Sequence, residues 1–175
     1  MLIIYIAIDR TGYILPLMIS VIAHEIGHIL CLMFFKCRLL KVRLLIGTLS
    51  VEYDNLPSDN ARMISLFCGP LINLCISVIS YVIGNYTWFA INLLTFVYNL
   101  LPISGLDGGE ILEIVLEKLI NHKLVSIIMN ISTFVVCLTF CIVCFCFTYN
   151  FSFLLLCFYL ISLHIFKNIL KDTQF

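Results

Sequence analysis

Charge is what this sequence has least of. Lys, Arg, Asp and Glu supply 11% of its 175 residues, where soluble domains carry about 25%. A water-facing surface cannot be built from so few, which excludes a soluble enzyme, a disordered tail and a coiled coil. An excess of either sign is missing too, since ten basic residues balance ten acidic ones. With no basic surplus to hold a phosphate backbone, no nucleic-acid partner is expected. The nine cysteines are odd in number, and no CxxC stands beside a second CxxC or a suitable His pair. They read as small buried hydrophobes. The apolar residues 1–8 are not expected to be a signal peptide, since they run into Asp9 and Arg10 with no basic start and no small-residue cleavage site.

What remains is apolar. Hydrophobic residues make up 62% of the chain, and the mean hydropathy is +1.13. A membrane-crossing helix needs about 20 mostly apolar residues. Residues 13–35, 63–83, 124–148 and 151–166 meet that description. Residues 88–101 form a shorter run that stops at Pro102, followed by Ile103-Ser104-Gly105-Leu106-Asp107-Gly108-Gly109. This reads as broken backbone, with a helix resuming near Glu110 and running to Ile120. Residues 1–8 are too few to span and could form part of a first helix, an interfacial strand or a partial span. The expected fold is an all-α polytopic membrane protein of about five to six transmembrane helices.

Charge placement orients these spans. Lys36, Arg38, Lys41, Arg43, Arg62, Lys118, Lys123, Lys167 and Lys171 fall on one side of a five-span arrangement, leaving Arg10 opposite. The positive-inside rule makes that side cytoplasmic. The loop over residues 36–60 stays there, and the alternation through 46–53 predicts a short strand or hairpin at the interface.

Three ionisable residues interrupt the first span. His24-Glu25-Ile26-Gly27-His28 is an HExxH motif, and residues i and i+4 of a helix share a face. Two imidazoles can therefore point at one zinc ion, with Glu25 beside the bound water as its base. A bland alternative is two core histidines and a glutamate in an interhelical hydrogen-bond network. Burying three such groups at bilayer depth costs several kcal/mol, and metal ligation is the plainest compensation.

Catalytic zinc takes three protein ligands. Asp107, Glu110, Glu113, His122 and His164 have the chemistry. His122 sits in a charged turn beside Asn121 and Lys123, His164 lies close to Lys167, and Glu110 and Glu113 suit the positive end of the resumed helix. Asp107 stands apart at the helix break, beside Gly108 and Gly109, which permit close backbone approach. It is the expected third ligand.

The HEIGH pentapeptide, then Gly69-Pro70-Leu71-Ile72-Asn73, then Asn99-Leu100-Leu101-Pro102 with Leu106-Asp107-Gly108, together resemble the site-2 protease family of intramembrane zinc metalloproteases. The spacing is most similar to its short sporulation branch, the stage IV sporulation protein FB type. The resemblance covers roughly residues 13–120. It implies one zinc ion per chain on His24, His28 and Asp107, Glu25 as general base, and Asn73 and Asn99 holding substrate backbone or polarising the scissile carbonyl. Residues 34–53 look like the family's membrane-associated strand region. By the same resemblance, residues 1–175 act as a single transmembrane metalloprotease domain in a bacterial cell membrane, reached from the cytoplasmic side. The implied substrate is a membrane-tethered peptide or protein, and a membrane regulatory partner is allowed for. The N-terminus is shorter than the six-span sporulation pattern, and neither a PDZ-like insert nor cystathionine-synthase-type repeats are expected. Two rivals come from other classes. A divalent-metal transporter would want ligands repeated along a path and would leave Glu25 idle, and an inactive membrane scaffold would have no need of that glutamate.

Overall fold

The computed structural model describes residues 12–37, 39–45, 48–53 and 58–147. In chain order these form α1 (Ile14–Phe34), β1 (Leu39–Leu45), β2 (Thr48–Tyr53), α2 (Asp59–Val82), α3 (Tyr86–Asn99), α4 (Asp107–Glu117) and α5 (His122–Phe147). Three helices among the described residues are long and apolar enough to cross a membrane: α1, α2 and the stretch His122–Thr139 of α5. The chain is an integral membrane protein built mainly of helices. The expected span at 151–166, the segment 1–8 and His164 lie outside the described residues.

Two compact units divide the chain, Met1–Asn99 and Leu100–Phe175. In the first, α1, α2 and α3 pack on one another. Contacts run Ser20 to Asn73 and His28 to Ser65, so α1 and α2 are antiparallel. The buried face of α2 is made of small and polar residues at helical spacing: Ala61, Ser65, Gly69, Asn73, Ser77 and Ser80. Its large apolar residues, including Phe67, Leu71, Val78 and Ile79, are exposed. That inversion of the soluble pattern is expected where the solvent is lipid and backbones gain by close approach. A Cβ on Gly27 of α1 would come within 2.9 Å of the Cys68 carbonyl oxygen and 3.0 Å of the Gly69 Cα. The helices touch backbone to backbone there.

Helix ends follow local chemistry. Ser58 caps α2 by accepting from the Ala61 N–H at 3.3 Å. This draws the helix four residues upstream of the apolar run that begins at residue 63. Pro16 lies in the first turn of α1, where no intrahelical donor is needed. The α2–α3 turn places Gly84 at φ +79°, a conformation that glycine adopts freely.

The strand expectation is extended by the structure. β1 and β2 pair antiparallel, from Leu45 opposite Thr48 to Leu39 opposite Tyr53, so the hairpin includes a first strand that the alternation at 46–53 did not reveal. The helix break is also shorter than expected. Helix α4 begins at Asp107, not near Glu110, because Leu106 is its extended N-cap and Asp107 and Glu110 both stand in the first turn, the positive end of the helix dipole. It ends at Glu117 with Lys118 as C-cap, three residues short of Ile120.

The second unit is built around this break. A Cβ on Gly108 would collide with the Leu100 carbonyl, and one on Gly109 with the Ile103 carbonyl. The Gly-Gly pair lets α4 start directly against the backbone of the preceding loop. Ile103 is fully buried, and Leu106 and Ser104 are nearly so.

Candidate metal centre

The α1 motif aligns its imidazoles. His24 and His28 present Nε2 to Nε2 at 3.0 Å, with ring centroids 4.7 Å apart and planes at 82°. His24 is 5% exposed and His28 half-buried. The Nδ1 of His28 lies 2.8 Å from the Ser65 carbonyl oxygen. A carbonyl only accepts, so this nitrogen carries the hydrogen. In the neutral ring Nε2 then holds the lone pair, the tautomer a metal ligand requires. Two nitrogens bound to one tetrahedral zinc at ~2.0–2.1 Å stand ~3.3 Å apart. The observed pair is within a few tenths of an ångström of that, so the donors fit the ion.

The second helix builds the seat for His28. Ser65 Oγ also donates to the His28 carbonyl at 3.3 Å. Gly69 faces the imidazole so closely that a Cβ there would run into the ring. Gly69 is therefore more than one half of a Pro-associated kink: its missing side chain is the space the ring occupies. Along the same α1–α2 seam runs an apolar cleft of about 420 Å³, lined by Gly27, Leu30, Phe34, Ile64, Leu71 and Ile72 among others.

Asn73 belongs to a buried relay one turn before His24. Its Nδ2 donates to Ser20 Oγ at 3.2 Å, and Ser20 Oγ donates to Asn92 Oδ1 at 2.9 Å. Asn92 Nδ2 in turn donates to the Trp88 carbonyl at 2.9 Å. Because that carbonyl can only accept, every amide in the series has a fixed orientation. Asn73 is fully buried, with Nδ2 committed to Ser20 and Oδ1 turned away from it. Asn99, the last residue of α3, is half-buried and donates Nδ2 to the Thr95 carbonyl at 3.0 Å.

Glu25 follows His24 on α1 and is half-buried. Asp107 is the first residue of α4 in the second unit and half-buried too. His122 stands on the surface 3.2 Å from Glu117, in agreement with the solvated reading. Cys31, Cys37, Cys68, Cys75 and Cys137 form no disulfide; Cys137 is buried, Cys75 is exposed and the other three are half-buried, so burial is not the common state of these five.

Sequence reasoning missed Ser20, Ser65, Asn92 and Thr95. Ser20 was within reach, being four residues before His24 on the same face. Ser65 meets the His28 ring through its backbone carbonyl, which no residue type announces.

Residues 85–143 match the profile of Peptidase family M50. The zinc metalloprotease MJ0392 of Methanocaldococcus jannaschii is 29% identical over 115 residues, 58% of this chain and 33% of that protein. Stage IV sporulation protein FB of Bacillus subtilis is 31% identical over 119 residues, 60% of this chain and 40% of that protein. Over these stretches the chain is similar in sequence to zinc metalloproteases of that kind. Among solved structures, the Site-2 Protease from Methanocaldococcus jannaschii superposes with a TM-score of 0.67 at 21% identity, covering 91% of this chain and 80% of that one. The site-2 protease fold extends over most of the chain. The matched stretch spans about a third of one curated relative's length and two fifths of the other's.

Proposed function

We propose that this chain is an intramembrane zinc endopeptidase in which His24, His28 and Asp107 hold one zinc ion and Glu25 is the general base. The carrying observation is the imidazole pair: two Nε2 atoms 3.0 Å apart, one with its tautomer set by a backbone carbonyl. Asp107 joins them because two imidazoles and a carboxylate, one ligand atom from each, form the three-ligand set of a catalytic zinc site. When bound, zinc supplies Lewis acidity toward a carbonyl and brings the pKa of a coordinated water to about 7.

The chain's own residues do the rest. Glu25, adjacent to His24 on the helix, accepts the proton of the attacking water and returns it to the leaving amine. Asn99 gives one amide hydrogen to Thr95 and keeps a second, which we assign to the scissile carbonyl as it gains negative charge. Asn73, already donating to Ser20, is assigned to holding the site's polar lining in register.

The substrate we assign is a membrane-tethered peptide or protein. A substrate helix satisfies its own backbone bonds and must unwind before a carbonyl can reach the site. The β1–β2 hairpin offers an edge along which an extended segment could lie. With basic residues gathered on one side of the spans, the site is assigned to the cytoplasmic side.

The test is Glu25→Gln in the full-length chain, with cleavage of co-expressed membrane-tethered candidates followed on gels. Zinc content should stay at the wild-type level while cleavage falls about 10³-fold. Cleavage at the wild-type rate would remove Glu25 from the mechanism.

A further inference from the structure

The loop that carries Asp107 has backbone groups that no helix or strand satisfies, and two of them are taken by one helix. Ser132 Oγ donates to the Pro102 carbonyl at 2.6 Å. The Ser104 N–H donates to Thr133 Oγ1 at 3.2 Å. Both hydroxyls stand on α5, side by side in sequence. Neighbouring helical positions point about 100° apart, so the two grip the loop at two different points.

These hydroxyls are used unusually. A Ser or Thr inside a helix commonly donates to the carbonyl four residues back, and Thr139 on the same helix does so, to Val135 at 2.8 Å. Ser132 instead turns its hydroxyl outward to the loop. Thr133 is 3% exposed and is the polar member of a buried stripe of α5 that otherwise consists of Val125, Met129 and Cys137. An apolar residue there would complete the stripe and leave the Ser104 N–H buried without its acceptor.

The rest of the loop leaves it little freedom. Ile103 donates to the Leu101 carbonyl at 2.8 Å, and Leu106 to the Ile103 carbonyl at 3.0 Å. Gly109 packs against that same carbonyl. Fixing Pro102 and Ser104 therefore fixes Leu106, the N-cap of α4, and with it the direction in which Asp107 leaves the backbone.

We propose that Ser132 and Thr133 are positioning residues for Asp107, a hydroxyl clasp that holds the broken backbone so that the carboxylate is delivered as a metal ligand. The proposal rests on the reading of Asp107 as a zinc ligand. It predicts that metal affinity depends on a residue touching neither metal nor substrate.

The test uses the full-length chain in detergent micelles. Zinc affinity is measured by competition with a chromophoric chelator, and the ligand field by the absorption spectrum of the Co(II)-loaded protein. Thr133→Val should weaken zinc about tenfold and shift the Co(II) spectrum. Ser132→Ala should do so less, because water can replace a carbonyl's donor more readily than a buried N–H's acceptor. Thr133→Ser should restore both readouts, and Thr139→Val should change neither. Wild-type affinity and spectrum in both Thr133→Val and Ser132→Ala, whatever their thermal stability, would overturn the clasp. A wild-type chain that takes up no zinc or cobalt would overturn the metal-site reading itself, and the clasp with it.

Discussion

The two compact units solve one problem, polar groups inside an apolar protein, in opposite ways. In the first unit the helices stay unbroken, and the polar groups are side chains on aligned faces: Ser20, His24 and His28 on α1, with Ser65, Asn73 and Ser77 on α2. Ser20, His28, Ser65, Asn73 and Ser77 each meet a partner on a neighbouring helix, and His24 meets His28 on its own helix. In the second unit the backbone itself is opened, and side chains from α5 close it again at Pro102 and Ser104. The first arrangement is a matter of periodicity and survives small shifts. The second depends on a few backbone atoms held in one place.

Equivalent substitutions in the two units should expose that difference. Gly109→Ala sets a Cβ against the Ile103 carbonyl, which is backbone and cannot turn aside. It should cost about 3 kcal/mol, read as a fall in the thermal midpoint of the purified chain. Gly69→Ala sets a Cβ against the His28 ring, which can move. That variant should stay folded while its zinc affinity drops about 10- to 100-fold. An equal loss of stability in both would erase the contrast.

Weaker effects sharpen the picture of the first unit. Asn92→Leu removes the acceptor for Ser20 Oγ, but Thr95 Oγ1 stands 3.3 Å away as a second partner. A cost of about 1–2 kcal/mol follows, with zinc affinity changed less than in Gly69→Ala. The smallest change is expected at Ser58→Ala. There one capping bond at the start of α2 is lost, worth about 1 kcal/mol, and metal binding should be untouched.

The same contrast explains what could be read in advance. Hydropathy located α1 to within a residue at each end, and α5 to within two at its start. The i, i+4 spacing of His24 and His28 foretold their meeting, because a straight helix makes spacing into geometry. Asp107 could be singled out by the glycines beside it, yet the start of α4 was placed three residues late. An N-cap with no side-chain bond, such as Leu106, leaves no mark in the sequence. Ser132 and Thr133 were illegible for a stronger reason. Their partners are backbone atoms 29 and 30 residues away, and nothing local separates them from Thr139, which bonds within its own helix. The hairpin falls between these cases: alternation marked β2, while the same alternation through Leu40–Leu44 of β1 passed as a run of loop charges.

The central claim is that a carboxylate from the broken helix completes the metal site begun on α1. It is tested most directly by metal analysis of the purified full-length chain beside its Asp107→Asn variant. Close to one zinc per wild-type chain is expected, and a large loss in Asp107→Asn while the helical content is retained. Equal, full zinc occupancy in the two proteins would contradict it.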